Sequence, residues 1–330
     1  MDGLEQKQFA EYQQAIIHAK QEIGRVIVGL NSVIDQVMTA ILCNGHVLLE
    51  GVPGLGKTML VHSIGQVFDL KFTRIQFTPD LMPADITGTN ILMEDTNGRR
   101  YFQFQPGPLF GQIVLADEIN RATAKTQSAL LEAMQERSIT IAGETRYLEQ
   151  PFFVLATQNP LELEGTYPLP EAQLDRFFFK VKVGYPSFEE LRDILLKTTI
   201  GEEASLTKMF DGDALLQLQA LVRQMPVSHE VLTYAARIIL ATHPHAEANI
   251  TAVKDYVRYG ASPRGGQTLI LAGKAKAFME GRFTVSFADV RAVALPALRH
   301  RILLNFEGEA TEQDMDQLIH EIIAKVPESV

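Results

Sequence analysis

Residues 51 to 58 read Gly-Val-Pro-Gly-Leu-Gly-Lys-Thr, a full match to the spacing G-x-x-x-x-G-K-[ST]. The chemistry of that pattern is phosphate binding. Gly51, Gly54 and Gly56 permit positive φ angles and close backbone approach, so that successive N–H groups can wrap a phosphate. Lys57 is spaced to reach the β and γ phosphates of a nucleoside triphosphate, and Thr58 to hold Mg²⁺. Val52, Pro53, Leu55 and Met59 complete the contacting segment. The loop follows Val47-Leu48-Leu49, an apolar run that ends where a buried strand should end.

Two carboxylates come next. Ile113-Val114-Leu115-Ala116 reads as a buried strand ending in Asp117-Glu118, at the strand edge where ligands of open α/β sheets bind. Adjacent side chains point differently and can divide the labour: Asp117 to hold Mg²⁺ through water, Glu118 to polarise the water that attacks the γ-phosphate. The run Phe152 to Thr157 ends in Gln158-Asn159-Pro160, and Asn159 offers an amide donor and an acceptor for reading the γ-phosphate or aligning water. Two arginines complete the set. Arg176 precedes the run Phe177 to Val183, out of reach of its own phosphate loop if that strand lies on the sheet's far edge. Arg264 follows Ser262-Pro263, a helix-start signal; a cation in a helix's first turn opposes the macrodipole, which points to an anionic partner.

These residues need a scaffold that gathers strand ends. Five β-rich runs, 46–50, 71–77, 112–117, 152–157 and 177–183, alternate with helical patterns, which predicts a parallel sheet covered by helices. Helix is expected before it, over 5–42 with a break at Val28-Gly29. After Tyr185-Pro186-Ser187 the pattern turns helical: 188–199, 213–225, 229–242, 264–281, 287–302 and 312–324. The chain therefore divides into a nucleotide-binding domain, 1–187, and a helical domain, 188–330. Two hairpins interrupt the core. One is expected around Asn97-Gly98, with type I′ chemistry, between Ile91-Leu92-Met93 and Tyr101-Phe102-Gln103-Phe104; the other joins 138–141 to 145–148 across Ala142-Gly143-Glu144.

Composition bounds the rest. The chain has 330 residues, 46% of them hydrophobic, and a formal charge of −10. Clustered Lys and Arg are missing, which argues against a general nucleic-acid binder. One cysteine, Cys43, excludes a disulfide framework and suits a reducing cytoplasm. Neither a signal-peptide pattern nor an apolar run long enough to span a membrane is visible.

Taken together, GVPGLGKT, LADEINRA, SALLEAMQE, ATQNP and especially GTYPLPEAQLDRF resemble, in order and spacing, the motifs of the MoxR family of AAA+ ATPases. The resemblance implies a five-strand core of order 5-1-4-3-2, a helical lid, and assembly into a ring, usually a hexamer, that hydrolyses ATP with Mg²⁺. It implies that Asn159 is sensor 1, Arg176 an arginine finger acting on a neighbouring subunit, and Arg264 sensor 2 from the lid. The hairpins then correspond to the helix-2 insert and the pre-sensor-1 hairpin. Two departures stand out: Leu30 in Val28-Gly29-Leu30-Asn31, where Gln is common, leaves the adenine contacts open, and Thr123-Ala124 replaces a frequent Pro-Pro.

The implied function is chaperone-like remodelling of a protein client, such as metal or cofactor insertion, often with a partner carrying a von Willebrand factor A domain. A nucleic-acid motor or transcriptional activator is the alternative, disfavoured by the acidic charge. A nucleotide-controlled scaffold with little turnover is disfavoured by Asp117-Glu118.

Overall fold

The structure is a computed structural model, which describes residues 3–160, 165–199, 205–246, 248 and 250–328. Five parallel strands form its centre: β1 (Val47–Glu50), β2 (Phe72–Gln76), β3 (Ile113–Asp117), β4 (Phe153–Gln158) and β5 (Phe179–Lys182). Their order across the sheet is β5-β1-β4-β3-β2, which is the arrangement the sequence motifs imply.

Strand sequence follows strand position. The inner strands β1, β3 and β4 are buried along nearly their whole length, because helices cover both faces and each side chain meets a helix whichever way it points. One face, with Leu49, Leu115 and Leu155, packs against the N-terminal helices and the helical region after residue 187. The opposite face, with Leu48, Val114 and Ala156, packs against the helix Ala124–Glu136. The edge strand β5 alternates buried and more accessible residues.

The N-terminal helix Gly3–Val26 buries Phe9, Ile16, Ala19 and Ile23 along one stripe, and Phe9 meets Phe278 of the helix Pro263–Met279 edge-on at 4.7 Å. It thereby joins the sheet region to the later helices. Those helices carry their start signals in the sequence: Asp211, Ser228, Ser262, Ser286 and Asp314 each cap a first turn, satisfying amide groups that have no partner inside the helix. Helical pattern alone did not reveal the helix Thr251–Tyr256, the short helix Phe306–Ala310, or the small antiparallel pair of Val257–Tyr259 with Leu303–Leu304.

The first hairpin pairs Gly88–Glu94 with Arg100–Pro106. Its turn corrects the type I′ expectation: of Asn97 and Gly98 only Gly98 is left-handed, φ +76°, and the Asp95 carboxylate accepts the Asn97 and Arg99 amides. An aspartate turn closes the loop instead. The two-residue turn with both φ positive occurs in the second hairpin, at Ala142 and Gly143 between Ser138–Ile141 and Glu144–Tyr147.

His46 locks the sheet to its covering helix. Its Nδ1 accepts the Val154 amide and its Nε2 donates to the Met134 carbonyl, both at 3.0 Å, so the ring is held neutral. Burial pulls its pKa from 6.5 down to about 4, and buried His300 is lowered in the same direction. The unfolded chain therefore binds more protons between these values. The stability that neutral His46 confers is full above pH 6.5 and falls as the pH drops towards 4, by about 3 kcal/mol in total. Denaturant titrations from pH 7.5 to 4.5 should show this decline, and His46→Gln should flatten it; parallel curves for the two proteins would remove His46 as the cause.

Candidate functional site

The phosphate loop leaves β1 and enters the helix Lys57–Val67. Gly54 and Gly56 adopt φ of +83° and +75° with open space where a Cβ would stand, so backbone conformation selects glycine there. Gly51 is required differently: its φ is ordinary, but a Cβ would lie 2.6 Å from the Val183 carbonyl oxygen. Because Gly56 precedes the helix and brings no capping side chain, the first-turn N–H groups are left to bind an anion. Lys57 folds over the loop, its Nζ donating to the Gly51 carbonyl at 2.5 Å. Burial lowers its pKa, opposed by the fields of Asp117 and Glu118, which places the ammonium and both carboxylates around one space.

Sheet register brings the other strand ends to that space. Glu50 is level with Gln158, and the Gly51 amide donates to the Gln158 carbonyl at 3.2 Å, so buried Asn159 emerges beside the loop. Thr157 fixes the two acids: its hydroxyl donates to Asp117 Oδ1 at 2.6 Å and accepts the Glu118 amide at 2.8 Å. Arg74 on β2 pairs with Asp117 Oδ2 at 2.7 Å. Glu118 is left-handed, φ +56°, and its Oε2 accepts from Gln76 at 2.7 Å and Arg121 at 3.0 Å. Arg74, Gln76, Arg121 and Thr157 were not singled out from the sequence; the signal available for Arg74 and Gln76 is their place at the end of the run beside β3.

The donors fit a triphosphate with a hard cation. Thr58 and Asp117 supply oxygen only, as Mg²⁺ requires, and because both Asp117 oxygens already accept hydrogen bonds, its contact would run through water. No group of three or more His, Cys, Asp or Glu side chains among the described residues could hold a metal unaided.

The arginines lie elsewhere. β5 pairs directly with β1, Phe179 level with Val47, so Arg176 is not distant across the sheet as the far-edge argument supposed. It lies at the opposite end: the phosphate loop follows the C-terminal end of β1, whereas Arg176 precedes β5, whose four residues alone span roughly 13 Å. Arg264 is there too, 3.6 Å from Asp175. The two arginines line one cleft of about 260 Å³ together with Arg137. Neither Arg176 nor Arg264 approaches the loop of its own chain. Buried Arg301 secures this corner, donating to Asp175 Oδ1 at 2.7 Å and to the Phe177 carbonyl at 2.8 Å.

Val28 and Gly29, whose adenine contacts the motif left open, line a separate cleft of about 430 Å³ with Asp193, Leu196 and Lys197. No helix among the described residues is long and apolar enough to cross a membrane.

Comparison with known proteins matches this geometry. Residues 46–179 fit the model of the ATPase family associated with various cellular activities (AAA), and 249–322 fit the AAA lid domain. The chain is 44% identical to Chaperone MoxR1 of Mycobacterium tuberculosis, covering 92% of this chain and 80% of the relative. It is 43% identical to the protein YeaC of Bacillus subtilis, with 93% of each covered, and 30% identical to Protein MoxR of Paracoccus denitrificans, with 94% and 95% covered. The crystal structure of a candidate ATPase from Cytophaga hutchinsonii superposes with a TM-score of 0.91 at 40% identity over 97% of each chain. A phosphate loop, an acid pair and a 5-1-4-3-2 sheet, joined to relatives along nearly the whole length, leave one assignment: the chain belongs to the MoxR family of AAA+ ATPases.

Proposed function

We propose that the protein is a ring-forming ATPase of the cytoplasm that remodels or activates a protein client, with residues 1–187 as its nucleotide-binding domain and 188–330 as its lid. Residues 51–59 bind the phosphates of ATP, with Lys57 as the point charge at the β/γ position. Thr58 and Asp117 would hold Mg²⁺, which when bound neutralises charge between the phosphates. Glu118, held by Gln76 and Arg121, polarises the attacking water, and Asn159 aligns it or reads the γ-phosphate. Arg176 and Arg264 serve the triphosphate of a neighbouring subunit. The observation that carries this reading is the opposition of phosphate loop and arginines at the two ends of one sheet: one chain cannot complete the site, and a ring, such as a hexamer, does so at each interface.

The hairpins support a protein client. Leu92 and Phe102 face each other across the first hairpin and are 56% and 73% exposed; Tyr147, on the second, is 81% exposed. Arg146 stacks over Phe104, 4.1 Å from the ring centroid, and joins the two hairpins into one surface. Apolar side chains so displayed serve recognition rather than folding. A partner with a von Willebrand factor A domain, and insertion of a metal or cofactor, are specific forms of this activity. Capture on an ATP-loaded Glu118→Gln ring should retain a protein partner. Leu92→Ser combined with Phe102→Ser should leave basal ATPase within about twofold while lowering partner stimulation about tenfold; stimulation equal to wild type would exclude the hairpin as the client surface, and salt-dependent capture of nucleic acid instead of protein would favour a nucleic-acid motor.

A further inference from the structure

We propose that Arg137 is a third arginine serving the neighbouring subunit's triphosphate, acting beside Arg176 and Arg264; the inference rests on the trans reading above. Arg137 follows the helix Ala124–Glu136 and opens the second hairpin. Its backbone is left-handed, φ +52°, a conformation that a non-glycine residue adopts at some cost. The guanidinium donates to Gln150 Oε1 at 2.7 Å and to the Asn44 carbonyl at 3.3 Å. Both acceptors are neutral, and Arg137 lines the same cleft as Arg176 and Arg264.

Charge balance gives the cleft its meaning. Its lining holds Arg137, Arg176, Arg264 and Arg301 against a single carboxylate, Asp175. That carboxylate is already engaged by Arg301 at 2.7 Å and by the Ser262 hydroxyl at 3.0 Å. No carboxylate among the described residues pairs with Arg137, and burial alone lowers its pKa. Partly buried guanidinium groups without counter-charge are costly, and a chain of formal charge −10 does not gather them by composition. The compensating anion must come from outside the chain. The best-matched candidate is the group that the adjoining Arg176 serves, a triphosphate on the next subunit. Arg137 would also join that triphosphate to the second hairpin at its base, giving the client surface a direct link to the nucleotide of the neighbour.

The test separates this role from a structural clip between Asn44 and Gln150. Arg137→Gln is expected to lower kcat for ATP about 10²-fold, leaving mant-ATP affinity of the chain's own phosphate loop and ring mass by ultracentrifugation unchanged. Arg137→Lys, which keeps the charge, should recover part of the rate. Mixing Arg137→Gln with Lys57→Ala subunits should restore activity, because some interfaces then join an intact arginine face to an intact phosphate loop. A kcat for Arg137→Gln within about twofold of wild type would overturn the proposal. So would failure of this mixture to recover while Arg176→Ala mixed with Lys57→Ala does recover. If the Arg176 mixture also fails in confirmed mixed rings, the trans reading itself is wrong and the role of Arg137 falls with it. Should Arg137→Gln prove unfolded, Arg137→Lys mixed with Lys57→Ala carries the same comparison.

Discussion

Lys57→Ala is expected to abolish ATP binding, whereas Glu118→Gln should bind ATP as tightly as wild type and fail to hydrolyse it. The two side chains share one space, since the fields of Asp117 and Glu118 act on the Lys57 ammonium, but they meet different parts of the reaction. Lys57 supplies a half-buried positive charge to phosphates already bound in the ground state. Its loss should weaken binding by about a hundredfold or more, the equivalent of about 3 kcal/mol. Glutamine at 118 retains an oxygen able to accept from Gln76 and Arg121, the two donors that now hold Glu118, so the left-handed turn at that residue should survive. What it lacks is basicity. Loss of water activation lowers the rate about 10²- to 10⁴-fold. Equilibrium titration with mant-ATP and steady-state phosphate release read the two effects separately. Wild-type turnover in Glu118→Gln would remove that residue from its role, and tight binding by Lys57→Ala would do the same for the lysine.

How far the sequence carried depended on whether a feature was local. The five strands were legible to within about two residues, because runs such as Ile113-Val114-Leu115-Ala116 are apolar on both faces and stop at a loop or a charge. Of the capping residues only Ser262, followed by Pro263, was read from the sequence; Asp211, Ser228, Ser286 and Asp314 were not singled out. The turn at Asn97-Gly98 was misread because the dipeptide favours type I′ in isolation, while Asp95, two residues earlier, draws two amides into a different turn. The motif singles out Arg176, but lateral distance across the sheet is not what separates it from the loop. Sheet order sets lateral distance, and here β5 is the immediate neighbour of β1; the separation comes from strand direction. Arg137, Thr157 and Arg301 were silent, since each acquires its meaning from residues brought together only by folding. Arg301 meets Asp175 across 126 positions of sequence, and no periodic pattern encodes such a contact.

Strand direction also gives the most demanding expectation, that Arg176 completes the site of another subunit. The arginine precedes β5 while the loop follows β1, and the two strands run parallel in direct pairing. Rotating the side chain cannot bridge the length of a strand. Asp175 and Arg301 further tie the backbone around Arg176 to the helical region, so the arginine is presented by a braced corner rather than a loose loop. An arginine that meets charge developing during phosphoryl transfer contributes about 10³- to 10⁵-fold in rate. Arg176→Ala should therefore keep its nucleotide affinity and lose nearly all turnover, and Lys57→Ala should be inactive for the opposite reason. Mixed, the two proteins should recover part of the wild-type ATPase: wherever a Lys57→Ala subunit offers its arginine face to the phosphate loop of an Arg176→Ala subunit, the interface is whole. Wild-type turnover per subunit should also fall when dilution takes the protein below its assembly concentration. Confirmed mixed rings without activity, or turnover that persists in demonstrable monomers, would return Arg176 to its own chain, and the only route left would be a large rearrangement of the β5 end.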